Sequence, residues 1–320
     1  MDQQWDLTGW ALALLQTLAV VALAPLYSGW IKWMKCHLQN RRAPGLLQPY
    51  RGLNKLFRKR PLLAENASVI FRMAPYMLMG ASLLAASAVP FVTTHLPTTA
   101  VVDLIVLVGY FALAKFFLVL AGMDVGTAFG GMGSSREANF SAFAEPAMLL
   151  VVFTLAMVAS STNLSIVMET LQSAGLVLRP SLVFILAALL LVGLAENGRI
   201  PVDNPATHLE LTMIHEAMIL EYSGRYLAMV EWAAQIKLML YGLLIVNIFF
   251  PFGLAASETP LDLLSALAGV LIKLAFMGAG LAVVETVLAK MRLFRVPVFL
   301  ILAFMLAFMG MFSHILLEVA

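Results

Sequence analysis

The stretch PSLVFILAALLLVGLAENGRIPVD, residues 180–203, joins a long apolar run to an abrupt change to charged side chains. No ionisable residue lies between Pro180 and Glu196, and an apolar helix of roughly 20 residues crosses the hydrocarbon layer of a bilayer. Similar runs recur along the chain, in which 62% of the residues are hydrophobic and 12% are charged. Together with a mean hydropathy of +0.92, this composition predicts an integral membrane protein and excludes an ordinary soluble domain.

The apolar runs predict a single transmembrane domain, residues 1–320, with an all-α fold of about eight membrane-spanning helices. The predicted spans lie near residues 10–31, 74–92, 101–122, 140–160, 180–196, 236–254, 263–287 and 296–318.

Basic residues are distributed unevenly between the loops. Ten of the twenty Lys and Arg residues lie between the first two spans, so the positive-inside rule places that loop in the cytoplasm. Both termini are then expected outside, in a multi-pass protein of the cell (cytoplasmic) membrane. The inward loops are predicted to be a basic loop at 32–72, a glycine-rich loop at 123–139 and an acidic loop at 197–235. Nucleic-acid binding is disfavoured, because the basic loop is held between two spans.

The basic loop contains a candidate amphipathic helix. Tyr50, Leu53 and Phe57 share one helical stripe, whereas Arg51 and Lys55 lie on other faces. Such a helix lies along the membrane surface, where it contacts anionic lipid or offers a docking surface to a partner protein. The residues alone leave both alternatives open.

The glycine-rich loop includes GMDVGTAFGGMGSSRE, residues 122–137. Its glycines permit tight turns at the membrane face, and no Gly-Lys-Ser/Thr follows them, which disfavours a phosphate-binding loop. A flexible connector is one explanation. Asp124, Arg136 and Glu137 are costly so close to the hydrocarbon and favour a functional role instead.

The acidic loop is predicted to interrupt the helical structure. Pro201 and Pro205 break the preceding helix, and Thr207 with Glu210 resembles a capping box that starts a new one. On a continuous helix Glu210 and Glu221 would then share a face with apolar neighbours.

The sequence predicts no metal site in this chain. Cys36 is the only cysteine, so the chain alone cannot ligate an iron–sulfur cluster or form an internal disulfide. His215 and Glu216 could begin a metalloprotease motif, but position 219 is Ile where H-E-x-x-H requires the second histidine.

Ionisable side chains within or near the spans are the strongest functional signal, because each is costly unless it faces protein, water or a counter-ion. They are Lys115, Glu145, Glu196, Glu231, Lys237, Lys273 and Glu285. Static ion pairs that fix helix packing would explain them, and so would a pathway for protons or other ions. Composition does not distinguish a transporter, a channel and a subunit of an energy-converting redox complex.

Several motifs together resemble one known family, the membrane subunit of respiratory complex I that adjoins the quinone chamber, with its counterparts in energy-converting hydrogenases. The motifs are GLLQP at 45–49 followed by Lys55 and Leu56, EP at 145–146, AENGRIPVD at 195–203 and EYSG at 221–224. The resemblance extends along the whole chain.

Departures from the complex I pattern indicate the branch. Complex I has L-P-E-G-E-S-E-L where this chain has NPATHLEL, so that Ala206 and His208 replace two acids while Glu210 is kept. The glycine-rich segment and Glu285 in VETVLAKMR resemble the hydrogenase branch. The chain is therefore identified as a member of the group 4 energy-converting hydrogenase and formate hydrogenlyase branch.

The resemblance implies a non-catalytic subunit of an oxidoreductase complex, which anchors the redox arm and couples electron transfer to proton or sodium translocation. It implies nickel–iron and iron–sulfur centres in partner subunits and no cofactor in this chain. The implied partners are a hydrogenase-like large subunit, an iron–sulfur small subunit and antiporter-like membrane subunits. Lipid is a further expected partner because of the basic amphipathic helix.

The resemblance and the local charges together define the predicted site residues. The resemblance implies relay positions at Glu145, Glu196, Asp203, Glu210, Glu221 and Glu231, and the charges in the spans add Lys115, Lys237, Lys273 and Glu285. The predicted partner interface comprises Arg41, Arg42, Gly45, Gln48, Pro49, Lys55, Asp124, Arg136, Glu137 and Arg199. A quinone-chamber subunit of complex I and a free-standing ion transporter are the alternative functions.

Overall fold

The computed structural model describes residues 7–94, 97, 103–174, 179–203, 213–253 and 259–317. Apart from the isolated bridge between Asp103 and Asn163 and a bridge residue at Thr93, the regular structure in these ranges is helical. The helices are α1 (Leu7–Leu38), α2 (Gln48–Phe57), α3 (Val69–Ala88), α4 (Leu104–Asp124), α5 (Ala128–Ala159), α6 (Leu164–Ala174), α7 (Pro180–Glu196), α8 (His215–Ile219), α9 (Gly224–Phe249), α10 (Pro260–Val287) and α11 (Val296–Leu317), with a 3-10 turn at Leu293–Arg295.

The predicted all-α membrane fold is confirmed. Within the described ranges, seven helical segments are long and apolar enough to span a bilayer, namely α1, α3, α4, α5, α9, α10 and the segment containing α11. The apolar helix α7 is shorter, with 17 residues, and with it the total is the eight predicted. The centre of the bundle is α9, which packs against α1, α2, α3, α7 and α10.

The prediction of a loop at 123–139 is wrong for most of that range. Helix α5 begins at Ala128, and the Thr127 hydroxyl caps it by accepting a hydrogen bond from the Gly130 amide at 3.3 Å. A Cβ on Gly122 would lie 2.3 Å from the Ser134 Oγ, and one on Gly130 would lie 2.3 Å from the Gly122 carbonyl oxygen. The glycines therefore let α4 and α5 approach closely, as small residues do between membrane helices.

The acidic loop at 197–235 is also shorter than predicted. Helix α9 begins at Gly224, and α8 occupies part of the preceding segment. Hydropathy placed the start of the sixth span near residue 236 because Glu231 and other polar residues interrupt the apolar pattern. These residues face protein rather than lipid, since α9 is the most buried of the candidate spans.

The predicted amphipathic helix in the basic loop is α2, and its apolar stripe faces the bundle. Leu53 is buried, Phe57 meets the Trp232 ring edge-on with centroids 6.1 Å apart, and the Tyr50 hydroxyl donates to the Ala22 carbonyl oxygen. The helix is thus fixed to α1 and α9.

Candidate functional site

Glu196, the last residue of α7, lies between two lysines from other helices. Its Oε2 accepts a hydrogen bond from the Lys237 Nζ on α9 at 2.7 Å, and its Oε1 accepts one from the Lys115 Nζ on α4. The Lys115 Nζ also lies 3.4 Å from Glu137 Oε1 on α5. These four residues, Lys237, Glu196, Lys115 and Glu137, form a continuous row of alternating charge across four helices, which we call the central row.

The central row is largely removed from water. The side chains of Lys115 and Glu196 are 7% and 6% exposed. Beside the row, the Phe111 ring stacks on Tyr241 with centroids 5.1 Å apart and lies 6.0 Å from the Lys237 Nζ, where a cation–π attraction supports the ammonium group. The charges must therefore be balanced within the row itself.

A second buried carboxylate, Glu285 on α10, also has two basic partners. It accepts hydrogen bonds from the Lys35 Nζ at 2.8 Å and from the Arg199 Nη1 at 3.2 Å. Because Lys35 lies on α1 and Arg199 follows α7, the Glu285 carboxylate links α10 to α1 and to the segment after α7.

Asp203 is the centre of a third network. Its Oδ1 accepts from the Lys290 Nζ at 2.8 Å, while its Oδ2 accepts from the backbone amides of Ile214 and His215 at 3.3 and 3.4 Å. The carboxylate thereby holds the start of α8 against the segment that follows α10.

A cavity of about 330 Å³ connects these networks. Its apolar wall includes Leu78, Leu118 and Val230. The charged residues that line it are Lys32, Lys115, Glu137, Glu196, Arg199, Asp203, Glu216, Glu231 and Lys237.

A smaller cavity of about 30 Å³ touches the central row, Asp203 and His215. It is large enough for a water molecule among polar partners, so it can join the central row to the Asp203 network.

Most of the predicted relay residues contact these networks or cavities. Glu145 interacts electrostatically with Lys115 and Lys237 but, within the described ranges, forms no ion pair. Glu231 lines the larger cavity. Lys273 lies elsewhere and donates to Asn247 Oδ1 and to the carbonyl oxygens of Phe250 and Phe252, at 3.0–3.3 Å.

Two predicted relay residues differ from the others. Glu221 is exposed, so the prediction of apolar surroundings is wrong; the chain turns between α8 and α9 instead of continuing one helix with a regular 100° period. Glu210 lies outside the described residues.

Four predicted interface residues form contacts inside the protein. Glu137 belongs to the central row and Arg199 binds Glu285. The Arg136 Nη1 donates to the Met213 carbonyl oxygen at 2.9 Å. Asp124 accepts from the amide and the hydroxyl of Ser68, which caps α3.

The other predicted interface residues remain on or near the surface. Arg41, Arg42, Gly45, Gln48 and Lys55 are exposed, and Pro49 is partly buried.

Close to the Asp124 contact, Tyr222 joins α3 to the start of α9. Its hydroxyl donates to the Phe71 carbonyl oxygen at 2.9 Å, and its ring stacks on that of Phe71. Burial raises the pKa of Tyr222, and the nearby Asp124 carboxylate raises it further, so the hydroxyl keeps its proton.

The sequence did not predict that Lys35 and Lys290 each form an ion pair inside the protein. Lys35 binds the buried carboxylate of Glu285, and Lys290 binds that of Asp203. One feature of the sequence could have indicated such a pair: a carboxylate within a span, such as Glu285, needs a counter-ion. Within the described part of the chain, no group of three or more His, Cys, Asp and Glu residues could hold a metal ion.

Comparisons with known proteins identify the family. A model of the NADH dehydrogenase family matches residues 11–315. Formate hydrogenlyase subunit 4 of Escherichia coli K12 is 34% identical over 284 residues, which are 89% of this chain and 92% of that protein. Hydrogenase-4 component C of the same strain is 33% identical over 283 residues, 88% of each chain.

A solved structure has the same fold. A chain of the membrane-bound sulfane sulfur reductase, an archaeal respiratory membrane complex, matches with a TM-score of 0.84 and 19% sequence identity, covering 96% of this chain and 99% of that one.

Proposed function

The chain belongs to the NADH dehydrogenase family, and from this premise we propose that it is the membrane anchor and ion-coupling subunit of a hydrogenase-type or formate hydrogenlyase-type complex. The similarity to formate hydrogenlyase subunit 4 along 89% of the chain supports this assignment. In this proposal, electron transfer takes place at nickel–iron and iron–sulfur centres of partner subunits, and this chain links it to proton or sodium movement.

The central row is the observation that carries the proposal. Apolar side chains could hold these helices together at a lower cost in free energy, because burying ion pairs requires removing several charges from water. A row in which two lysines share Glu196 can instead change its pairing when a charge enters the adjacent cavity. Such intramembrane groups next to water-accessible space are typical of proton and ion pathways.

The proposed partners bind on the basic side. The large and iron–sulfur subunits would contact Arg41, Arg42 and Gly45, which precede α2, and Gln48 and Pro49, which begin it. Antiporter-like membrane subunits would lie against apolar faces such as that of α10, where Phe276 and Val287 are each 75% exposed. The proposed topology has both termini outside.

The test begins with purification of a tagged native complex and identification of its subunits, nickel and iron. The complex is then reconstituted in vesicles and driven with reduced methyl viologen, while hydrogen evolution and uptake of protons or sodium ions are measured together. We expect Glu196→Gln to reduce ion uptake per hydrogen evolved and the exposed Glu169→Gln on α6 to leave it unchanged. The proposal is rejected when no redox subunit co-purifies, or when both variants behave like the unaltered complex.

The larger cavity favours a second candidate, a quinone-reactive chamber of the complex I type. Its volume of about 330 Å³ and its combination of apolar and charged walls suit an amphipathic ligand at the lower end of the usual size range. Reduction of a soluble quinone by the purified complex, blocked by Leu118→Trp, would favour this candidate. Ion flux through the isolated chain in liposomes would favour a free-standing transporter instead.

A further inference from the structure

The face of α2 that points away from the bundle is strongly basic. Arg51, Lys55 and Arg58 are separated by four and three residues, so they share one face, opposite to buried Leu53. Four other cations close in the chain, Arg41, Arg42, Lys59 and Arg60, are also exposed. The sequence from 7 to 64 contains no Asp or Glu, and within the described ranges none of the seven cations forms a salt bridge.

The orientation of α2 is fixed by its other side. Besides the contacts of Tyr50 and Phe57 described above, the chain before α2 lies directly on α1 at Gly29. A Cβ on Gly29 would lie 2.3 Å from the Leu46 carbonyl oxygen, which only glycine permits. The basic face therefore cannot turn toward the protein without loss of these contacts.

The segment that follows α2 contacts the start of α9. The Ser223 hydroxyl accepts from the Leu62 amide at 2.7 Å and donates to the Leu62 carbonyl oxygen at 3.0 Å, and α9 starts at the next residue, Gly224. A Cβ on Gly224 would lie 2.7 Å from the Lys59 carbonyl oxygen. Because a spanning helix leaves the hydrocarbon near its end, we expect the cations of α2 to lie near lipid phosphate groups.

Exposed leucines flank the basic face at both ends. Leu47 precedes α2 and is 56% exposed, and Leu62 follows it and is 78% exposed. Cations between apolar side chains at the membrane boundary are the usual composition of a surface that inserts between lipids.

We propose that this face of α2 binds anionic phospholipids of the inner leaflet. The phosphates lie against Arg51, Lys55 and Arg58, and the acyl chains lie against Leu47 and Leu62. For Lys55 this replaces the partner contact predicted from the sequence. The proposal does not depend on the ion-coupling role, because it concerns a surface outside the cavities and the ion networks.

The experiment compares lipid binding by the purified complex and by two charge variants. Dioleoylphosphatidylglycerol, with dioleoylphosphatidylcholine as the neutral reference, is titrated into the detergent-solubilised complex, and bound lipid is counted by native mass spectrometry. One variant combines Arg51→Gln and Arg58→Gln; the matched control combines Arg292→Gln and Arg295→Gln, which removes two exposed cations elsewhere on the predicted inward side.

The α2 variant should bind phosphatidylglycerol about thirty-fold more weakly, as expected for two cations removed from an anionic lipid surface, while phosphatidylcholine binding is unchanged. The control should retain its affinity for phosphatidylglycerol. Equal losses in both variants, or no loss in either, would overturn the proposal. It would also be overturned when the α2 variant binds lipid normally but loses the redox subunits, since the face would then bind protein.

Discussion

Replacing Glu196 by glutamine removes the only carboxylate that contacts two cations of the central row. Lys115 would keep Glu137 at 3.4 Å, whereas Lys237 would lose its ionised partner and keep the Phe111 ring at 6.0 Å. Breaking a buried ion pair by removing one partner costs about 3–5 kcal/mol, because the remaining charge is buried without compensation. We expect a loss of stability in the lower part of that range, since the amide keeps the shape and one acceptor oxygen.

A second substitution separates the stability effect from the functional one. Adding Lys237→Met to Glu196→Gln removes the uncompensated ammonium group, so the double variant should be more stable than the single one. Ion uptake should nevertheless remain low in both, because both lack the shared carboxylate.

Stability is measured as the temperature at which the tagged subunit disappears from the size-exclusion profile of the heated complex. Ion uptake is measured in vesicles and expressed per hydrogen molecule evolved. The reasoning is refuted when Glu196→Gln leaves uptake unchanged, or when the double variant is less stable than the single variant.

Three further predictions concern other parts of the chain. Gly29→Ala should displace α2, because the added Cβ meets backbone atoms at 2.3 Å, and limited proteolysis should then cut the basic loop faster; Gly45→Ala, whose Cβ would meet nothing within 4 Å, is the control. Glu285→Gln should cost less stability than Glu196→Gln in the same heating assay, because its two basic partners are about one-fifth exposed. Glu145→Gln should lower ion uptake with little effect on subunit assembly, and exposed Glu221→Gln should change neither.

Hydropathy was sufficient to predict the membrane fold, since the length of an apolar run reports directly on its ability to cross a bilayer. It also identified Lys115, Glu196 and Lys237 as unusual. It could not show that these residues meet: Lys115 and Glu196 are 81 residues apart in the chain, and Lys237 is 41 residues from Glu196. Their pairing depends on which helices are neighbours, and single-sequence hydropathy contains no information on that arrangement.

The glycine-rich segment was misjudged for a different reason. In water glycine is a poor helix former, so a run of glycines indicates a loop. Between membrane helices the same residues permit close backbone contact, and Gly122 and Gly130 serve that purpose here. Once residues 128–137 are helical, Glu137 is carried into the bundle, where it reaches Lys115 rather than a partner protein.

The short segment from Glu196 to Asp203 links the three ion networks, because it carries one charged group of each. Glu196 binds lysines on α4 and α9, Arg199 binds a carboxylate on α10, and Asp203 binds the segment after α10. All three line the larger cavity, and Gly198 between them adopts a positive φ of 54° that side chains rarely permit. Because so few residues carry all three charged groups, we expect displacement of this segment by a charge or a partner at the cavity to change the ion pairs on α4, α9 and α10 together. In the proposed function, such a link would allow a reaction at the redox subunits to affect ion movement in the membrane.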